Sequence, residues 1–285
     1  KEDPKPFLAR IIIAGKWDGK PEEAKSLLEE IYKIWPKEKR VKFHITCGGF
    51  IQFGWPESIS KEAIGDNKYP NNEAKDILLK EAKKCVEFIL KDDLDKKLRE
   101  FTDYLTLGID SHKEKMSTTQ NYISQPHIEL VFLIDLRNKK FYWTGKSYPT
   151  SNQQKGLVRI ADLKTHFFDF EDTGKIMVLG CHDLNLLINR GKKVDNSTWK
   201  KGIRSEFQEL AKKENPIYVL QHPHSTESTR TWGAALGATK KLLSTVKVFA
   251  SAGIFFKTNS RYSDLDKVLE KTKIGSTIDF IVRKV

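Results

Sequence analysis

Hydrophobic and polar positions along this chain alternate between two rhythms. Leu8 to Ala14 (LARIIIA) is a short β-branched run ending at Gly15, which predicts a buried strand. Pro21-Glu22-Glu23 then opens a segment with apolar residues at Ala24, Leu27, Leu28, Ile31 and Ile34 and a stop at Pro36, the spacing of a helix. Val41 to Ile45 (VKFHI) predicts a second strand, followed by the loop Thr46-Cys47-Gly48-Gly49. From Asn72 to Leu90 a helix is expected, with Ala74, Ile77, Leu78, Ala82, Cys85, Phe88 and Ile89 on one face. Tyr104 to Ile109 (YLTLGI) predicts the third strand.

The rhythm then changes. Ile128 to Leu136 (IELVFLIDL), the turn Arg137 to Lys140 and Phe141 to Thr144 (FYWT) read as a β-hairpin. Lys175 to Leu179 (KIMVL) predicts another buried strand, followed by a helix over Thr198 to Lys213. The strand Ile217 to Gln221, a helix over Thr231 to Ser244, the strand Val246 to Ser251 and a last strand over Thr277 to Val282 complete the series. No composition break or repeat divides it, so one α/β domain over 1–285 is expected. Helical crossovers imply parallel pairing, while the hairpin implies a mixed sheet. A helix–sheet–sheet–helix sandwich and a doubly wound single sheet both fit this pattern. The chain begins at Lys1 rather than Met, which leaves room for further residues or a further domain ahead of it.

The composition, 39% hydrophobic and 31% charged over 285 residues, supports a sizeable core and excludes a disordered chain. Apolar runs fall far short of the roughly 20 residues a membrane span needs. No apolar stretch with a small-residue cleavage site stands at the N-terminus, so no secretory signal is visible. Three cysteines, Cys47, Cys85 and Cys181, without a CxxC pair, argue against a disulfide framework and a thiolate zinc site, and suit a reducing, cytoplasmic setting. Lys+Arg outnumber Asp+Glu by 50 to 38, a net +12. The excess is mostly scattered lysine in short runs such as Lys83-Lys84 and Lys192-Lys193, without interleaved aromatics. A solvated surface is therefore favoured over a nucleic-acid or other polyanion face.

Candidate chemistry concentrates at Lys175 to Leu184 (KIMVLGCHDL), where a buried strand ends at Gly180 and Cys181 sits on the turn. Reactive groups collect past the carboxyl ends of strands in open α/β folds. A cysteine there serves as a nucleophile, with the His182 backbone N–H steadying an oxyanion, or as a small apolar filler; position alone admits both. Direct pairing of the His182 imidazole with Cys181 is not expected, since adjacent residues diverge from a turn. Asp183 is expected to orient the turn by accepting backbone N–H bonds. No phosphate-binding glycine loop is present, and His222-Pro223-His224 lacks a third ligand, so neither a cofactor nor a metal is expected. Arg230, in the polar stretch Ser225 to Trp232, is a candidate anion ligand at a helix start.

Phe167 to Leu184 (FFDFEDTGKIMVLGCHDL) resembles the nucleophile segment of the nitrilase (carbon–nitrogen hydrolase) superfamily, in which a strand delivers Cys, one variable residue and Asp; Cys181-His182-Asp183 has that form. The hairpin leading into Gly145-Lys146-Ser147-Tyr148-Pro149 resembles the family's lysine segment, with Lys146 at the catalytic position. Asn215 to Ser225 and Thr231 to Phe255 are similar to the strand and the helix–strand pair that follow. The resemblance covers nearly the whole chain in order and spacing.

It implies a four-layer α-β-β-α sandwich, cysteine-dependent hydrolysis of an amide or nitrile-like small molecule, no cofactor, and dimerisation through helices on one face. Glu129 is then a partner that orients the lysine. One departure stands out: the family's catalytic Glu falls at Gly48 or Gly49, next to the oxyanion region, and no carboxylate is present. Its loss predicts severely reduced hydrolysis unless another base substitutes, with His222 and His224 better placed than His44. The alternative reading is a catalytically inactive nitrilase-fold module that binds a ligand, a protein partner or a nucleotide or nucleic acid through its basic surface.

Overall fold

β-Branched residues lose little rotamer freedom in a pleated sheet, and Leu8–Ala14 forms β1 over the bounds its sequence predicts. The computed structural model describes residues 7–60, 62–113, 125–149, 156–187, 198–226, 229–255 and 264–283. The elements continue with α1 (Pro21–Ile34), β2 (Val41–Ile45), β3 (Ile51–Gly54), α2 (Asn72–Ile89), α3 (Leu94–Arg99), β4 (Thr102–His112), β5 (His127–Asp135) and β6 (Lys140–Gly145). They end with β7 (Phe167–Phe170), β8 (Gly174–Leu179), α4 (Leu184–Leu187), α5 (Thr198–Glu214), β9 (Tyr218–Gln221), α6 (Thr229–Leu242), β10 (Val248–Ser251), β11 (Ile254–Phe255), α7 (Leu265–Lys271), β12 (Lys273–Ile274) and β13 (Thr277–Arg283). Arg230 thus lies inside the first turn of α6 and is exposed. Lys192-Lys193 lies outside the described residues.

Among the described residues the strands form two sheets rather than one, so the doubly wound single-sheet reading does not hold. The larger, mixed sheet has the order β11-β1-β2-β4-β5-β6, with β13 also on β1 and β3 also on β4. The smaller has the order β12-β10-β9-β8-β7. Side-chain alternation divides the core. On β1, Ala9, Ile11 and Ile13 join a cluster with α1 and α2, while Leu8 and Ile12 join one with Ile176, Val178, Leu220 and Ala250 of the smaller sheet. On β8, Met177 and Leu179 face the other way, toward Phe207 of α5 and Ala235 of α6.

Arg10, fully buried on the inter-sheet face of β1, ties the two sheets together. Its Nε and Nη2 each donate to Asp279 of β13 at 2.7 Å, and its Nη1 donates to Thr272 Oγ1 at 2.8 Å and to the Ser251 carbonyl of β10 at 3.1 Å.

Past Ile45 the strands of the larger sheet splay. β2 pairs with residues 102–106 of β4, but beyond them β3 takes over at Ile109, and on β1 the place of β2 passes to β11. The segment 46–50 drops between the splayed strands. A Cβ on Gly108 would lie 2.0 Å from the Cys47 carbonyl oxygen, so only glycine lets the two backbones approach this closely. None of the described helices is long and apolar enough to cross a membrane.

Candidate active site

The alternation that sends Val131 and Leu133 into the inter-sheet layer sends His127 and Glu129 there too, and from β4 it sends Asp110 and His112. Asp110 pairs with Glu129 and His112 with His127 across the β4–β5 ladder, so these four polar side chains share one face at the splayed end. β8 ends opposite them, and Cys181 leaves it half-buried on the turn.

Lys146 follows β6 and is 1% exposed. Its Nζ donates to both Glu129 carboxylate oxygens, at 2.7 and 2.8 Å. Burial pulls the amine down, but Glu129 and then Cys181 outweigh it and hold it above its ordinary value. For Glu129, burial opposes ionisation, while Lys146, His224 and His127 outweigh it and keep the carboxyl well below its usual range. A Cβ on Gly180 would stand 3.4 Å from the Lys146 backbone, so the Lys146 and Cys181 segments are in direct contact. Asp183 fastens them together: its Oδ1 accepts from the Ser147 and Tyr148 N–H groups, both at 2.9 Å, and its Oδ2 from the Gly180 N–H at 3.0 Å.

His224 stands on the other side of the sulfur. Its backbone N–H donates to Cys181 Sγ at 3.4 Å, and its Nε2 meets Asp110 Oδ2 at 2.5 Å. With Nε2 engaged, Nδ1 stands 3.8 Å from Glu129 Oε2. Burial works against protonation, yet Asp110, Cys181 and Glu129 hold the imidazole well above its ordinary pKa. The thiol shows the mirror effect. Burial pushes it up, but His182 and His224 outweigh burial and bring it well below its ordinary value. The two opposite shifts favour the thiolate–imidazolium form of the pair. The other thiols differ: burial pushes Cys47 up to about 12, and burial, then Glu81 and Glu22, raise Cys85.

The His182 imidazole acts on the charge of the sulfur from the next position of a tight turn, closed by the Asp183 N–H to the Gly180 carbonyl at 3.4 Å. Gln221 supports the same turn, donating Nε2 to the Cys181 carbonyl at 2.9 Å while its Oε1 accepts from Ser251 Oγ at 2.8 Å.

The two glycines border His224. A Cβ on Gly48 would lie 3.4 Å from His224 Cε1, and one on Gly49 would lie 2.9 Å from Asp110 Oδ2 and 3.4 Å from His224 Cδ2. Gly49 also has φ +64°, a backbone conformation open to glycine. At 49 the imidazole–carboxylate pair fills the space that a side chain would need, and at 48 the His222 carbonyl oxygen does, 2.8 Å from such a Cβ.

His222 takes no part in this cluster. Its Nε2 is 2.7 Å from Thr106 Oγ1 and its Nδ1 is 3.2 Å from the Leu179 carbonyl oxygen, so it braces the two sheets beneath the turn. Burial pushes its pKa down to about 4. Thr106→Val should leave that ring nitrogen buried and unpaired, costing about 1–3 kcal/mol in denaturant titration, with the rate of Cys181 alkylation unchanged. A slower alkylation would return His222 to the chemistry. His44 lies on the opposite, helix-facing side of the larger sheet, 5.1 Å from the Trp35 ring and 5.9 Å from that of Phe280.

Asp110, His112 and His127 are the residues that the sequence reading passes over. The signal was present as D-x-H at 110–112 and H-x-E at 127–129, two period-2 polar pairs at the ends of apolar runs. The His112 and His127 rings stack at 5.7 Å, and His127 Nδ1 lies 2.7 Å from the Gln125 carbonyl oxygen. Among the described residues Asp110 Oδ1, His112 Nδ1, His127 Nε2 and His182 Nδ1 are buried without a hydrogen-bond partner. Among the same residues no group of three or more His, Cys, Asp or Glu is placed to hold a metal ion. The loop portions 114–124 and 150–155, within the stretches expected to line the pocket, lie outside the described residues. The chain matches no protein-family model and no curated protein sequence.

Proposed function

We propose that this chain is a nitrilase-like hydrolase of carbon–nitrogen bonds in which His224, held by Asp110, takes over the work of the missing Glu. The succession of apolar layers, from helices to sheet to sheet to helices, supports a four-layer α-β-β-α sandwich of nitrilase type. The observation that carries the reading is the convergence of Cys181, His224–Asp110 and Lys146–Glu129 at one end of the inter-sheet layer.

On this reading the Cys181 thiolate attacks the carbonyl carbon of a small amide, and the C–O π pair moves to oxygen. An ammonium has three N–H donors; two of those on Lys146 are engaged by Glu129, and the third meets the new oxyanion beside the His182 backbone N–H. The C–N bond breaks as the His224 imidazolium gives its proton to the leaving nitrogen, which departs as ammonia or an amine and leaves a thioester. Neutral His224 then takes a proton from water; hydroxide adds to the thioester, and the carboxylic acid leaves as the thiolate–imidazolium pair is restored. General acid–base help of this kind is worth about 10²–10⁴ in rate.

Native protein exposed to iodoacetamide tests the nucleophile, with peptide mass spectrometry reading each site. Cys181 should react at least about 10-fold faster than Cys47 and Cys85 at pH 7, given their opposite pKa shifts. Ammonia release from a panel of small aliphatic amides, lost in Cys181→Ala, tests the reaction. Selective alkylation without turnover on any amide or nitrile would favour the inactive binding module instead. Equal labelling of all three cysteines would end the assignment of Cys181 as nucleophile.

A further inference from the structure

Beside the lysine segment, three cations are buried around two aromatic rings. Arg159, Lys200 and Arg204 are 6%, 5% and 8% exposed. The Arg159 guanidinium lies 5.4 Å from the Trp199 ring centroid, Lys200 Nζ lies 5.5 Å from that ring and 5.9 Å from the Tyr148 ring, and the Arg204 guanidinium lies 5.3 Å from the Tyr148 ring. Aromatic faces offset part of the cost of burying a cation, and an unmet donor on such a cation adds to that cost.

Arg204 is well engaged, donating Nη2 to the Tyr148 hydroxyl at 2.6 Å and Nε to the Asn185 carbonyl at 3.0 Å. Arg159 is not. Its Nε donates to the Asn67 carbonyl and its Nη2 to the Lys68 carbonyl at 3.1 Å, but its Nη1 is buried with no hydrogen-bond partner among the described residues. Asp66 and Glu206 are near enough to act on its charge, and neither is ion-paired with it among the described residues. A guanidinium does not shed its proton at ordinary pH. An idle donor on a buried arginine, fixed by two backbone carbonyls and stacked on a ring, has the chemistry of a ligand contact.

We propose that Arg159, Lys200 and Arg204, framed by Trp199 and Tyr148, form an anion site for the carboxylate or phosphate group of a ligand. Arg159 supplies the directional N–H, Lys200 supplies the compact charge, and the Trp199 ring walls the site. The site adjoins the Cys181 cluster through the chain itself: Tyr148 is two residues past Lys146, and the Ile160 N–H beside Arg159 donates to the Lys146 carbonyl at 2.9 Å. It stands on these contacts alone, independently of any hydrolysis.

Calorimetric titration of the full chain at fixed ionic strength in chloride tests it, with inorganic phosphate and glutarate as separate probes. Saturable binding of either one, weakened at least about 10-fold in both Arg159→Gln and Lys200→Met, is the expected result. A fluorescence change on binding that vanishes in Trp199→Phe, while the calorimetric affinity persists, would place the anion at that ring. If neither probe binds above chloride, or if both charge variants bind as the unaltered chain does, the site is refuted. Cys181→Ala should bind as tightly as the unaltered chain, so failure of the nucleophile reading and failure of this one are told apart.

Discussion

Replacing His224 with alanine is expected to slow alkylation of Cys181 at pH 6 by about 10–100-fold and to change the shape of its pH profile. In the unaltered chain the rate should stay nearly flat from pH 6 to 8, because the thiol's pKa lies well below its ordinary value. Without the His224 imidazolium, burial raises the thiol against His182, and in the limit of the ordinary value of about 8.5 only about 0.3% is ionised at pH 6. The loss of thiolate is then on the order of 300-fold, partly offset because a more basic sulfur is intrinsically more nucleophilic. The variant's rate should climb nearly tenfold per pH unit. Asp110→Asn should fall between the two, since Asp110 is the largest of the influences that raise His224. Iodoacetamide kinetics across pH 5–9 check this, and coincident profiles for His224→Ala and the unaltered chain would remove His224 from the site.

Lowering the pH from 5.5 to 4.5 should cost the fold about 3–4 kcal/mol of stability, a large part of the 5–15 kcal/mol that typical domains possess. Burial pushes His44 down to about 3, and His127 and His222 down to about 4. In the unfolded chain all three take up protons below about pH 6.5, whereas in the folded chain they stay neutral until pH 3–4. Between those limits the unfolded state binds more protons, so stability falls as pH falls, by about 1.4 kcal/mol per pH unit for each histidine. His224 acts in a different window. Its raised pKa adds stability that is fully present below pH 6.5 and is lost above it, so it adds no slope on the acid side. Guanidinium titrations at pH 7, 5.5 and 4.5 measure the slope, and His44→Leu should remove about a third of it. Equal stability at pH 5.5 and 4.5 would mean that these histidines are not kept neutral.

Local pattern was enough to place most elements. The β-branched run Leu8–Ala14, the Pro-opened helix Pro21–Ile34 and the hairpin of β5 and β6 fall within a residue or two of their expected bounds. Ile51–Gly54 was missed because IQFG has no apolar run of its own and becomes a strand only by pairing with the far half of β4. The short helix Leu94–Arg99 likewise carries only two buried apolar positions, Leu94 and Leu98. Whether the strands formed one sheet or two depended on pairings between residues far apart in sequence, which periodicity does not encode.

At the site, Cys181, Lys146 and Glu129 were legible because each ends or opens an apolar run. Asp110 was not, because β4 runs on past Ile109 to His112, where polar residues replace the apolar alternation that marked the strand. His222 and His224 looked equivalent in sequence. Both lie past the end of β9 at Gln221, and the loop through Pro223, not strand alternation, sends one to Thr106 and the other to Cys181 and Asp110.

The pairing of β1 with β13 along all of β1 has a consequence for biosynthesis. Arg10 meets Asp279 across 269 residues, so at translation speeds of about 5–20 residues per second the first strand waits on the order of ten seconds to a minute for its lateral neighbour. During that wait its backbone is an open edge, the kind of surface that recruits foreign strands. The guanidinium at its centre, which later becomes the bolt between the sheets, is at that stage a solvated cation that discourages intruders. Nascent chains arrested short of Thr277 should therefore stay dispersed, and the same chains carrying Arg10→Leu should aggregate.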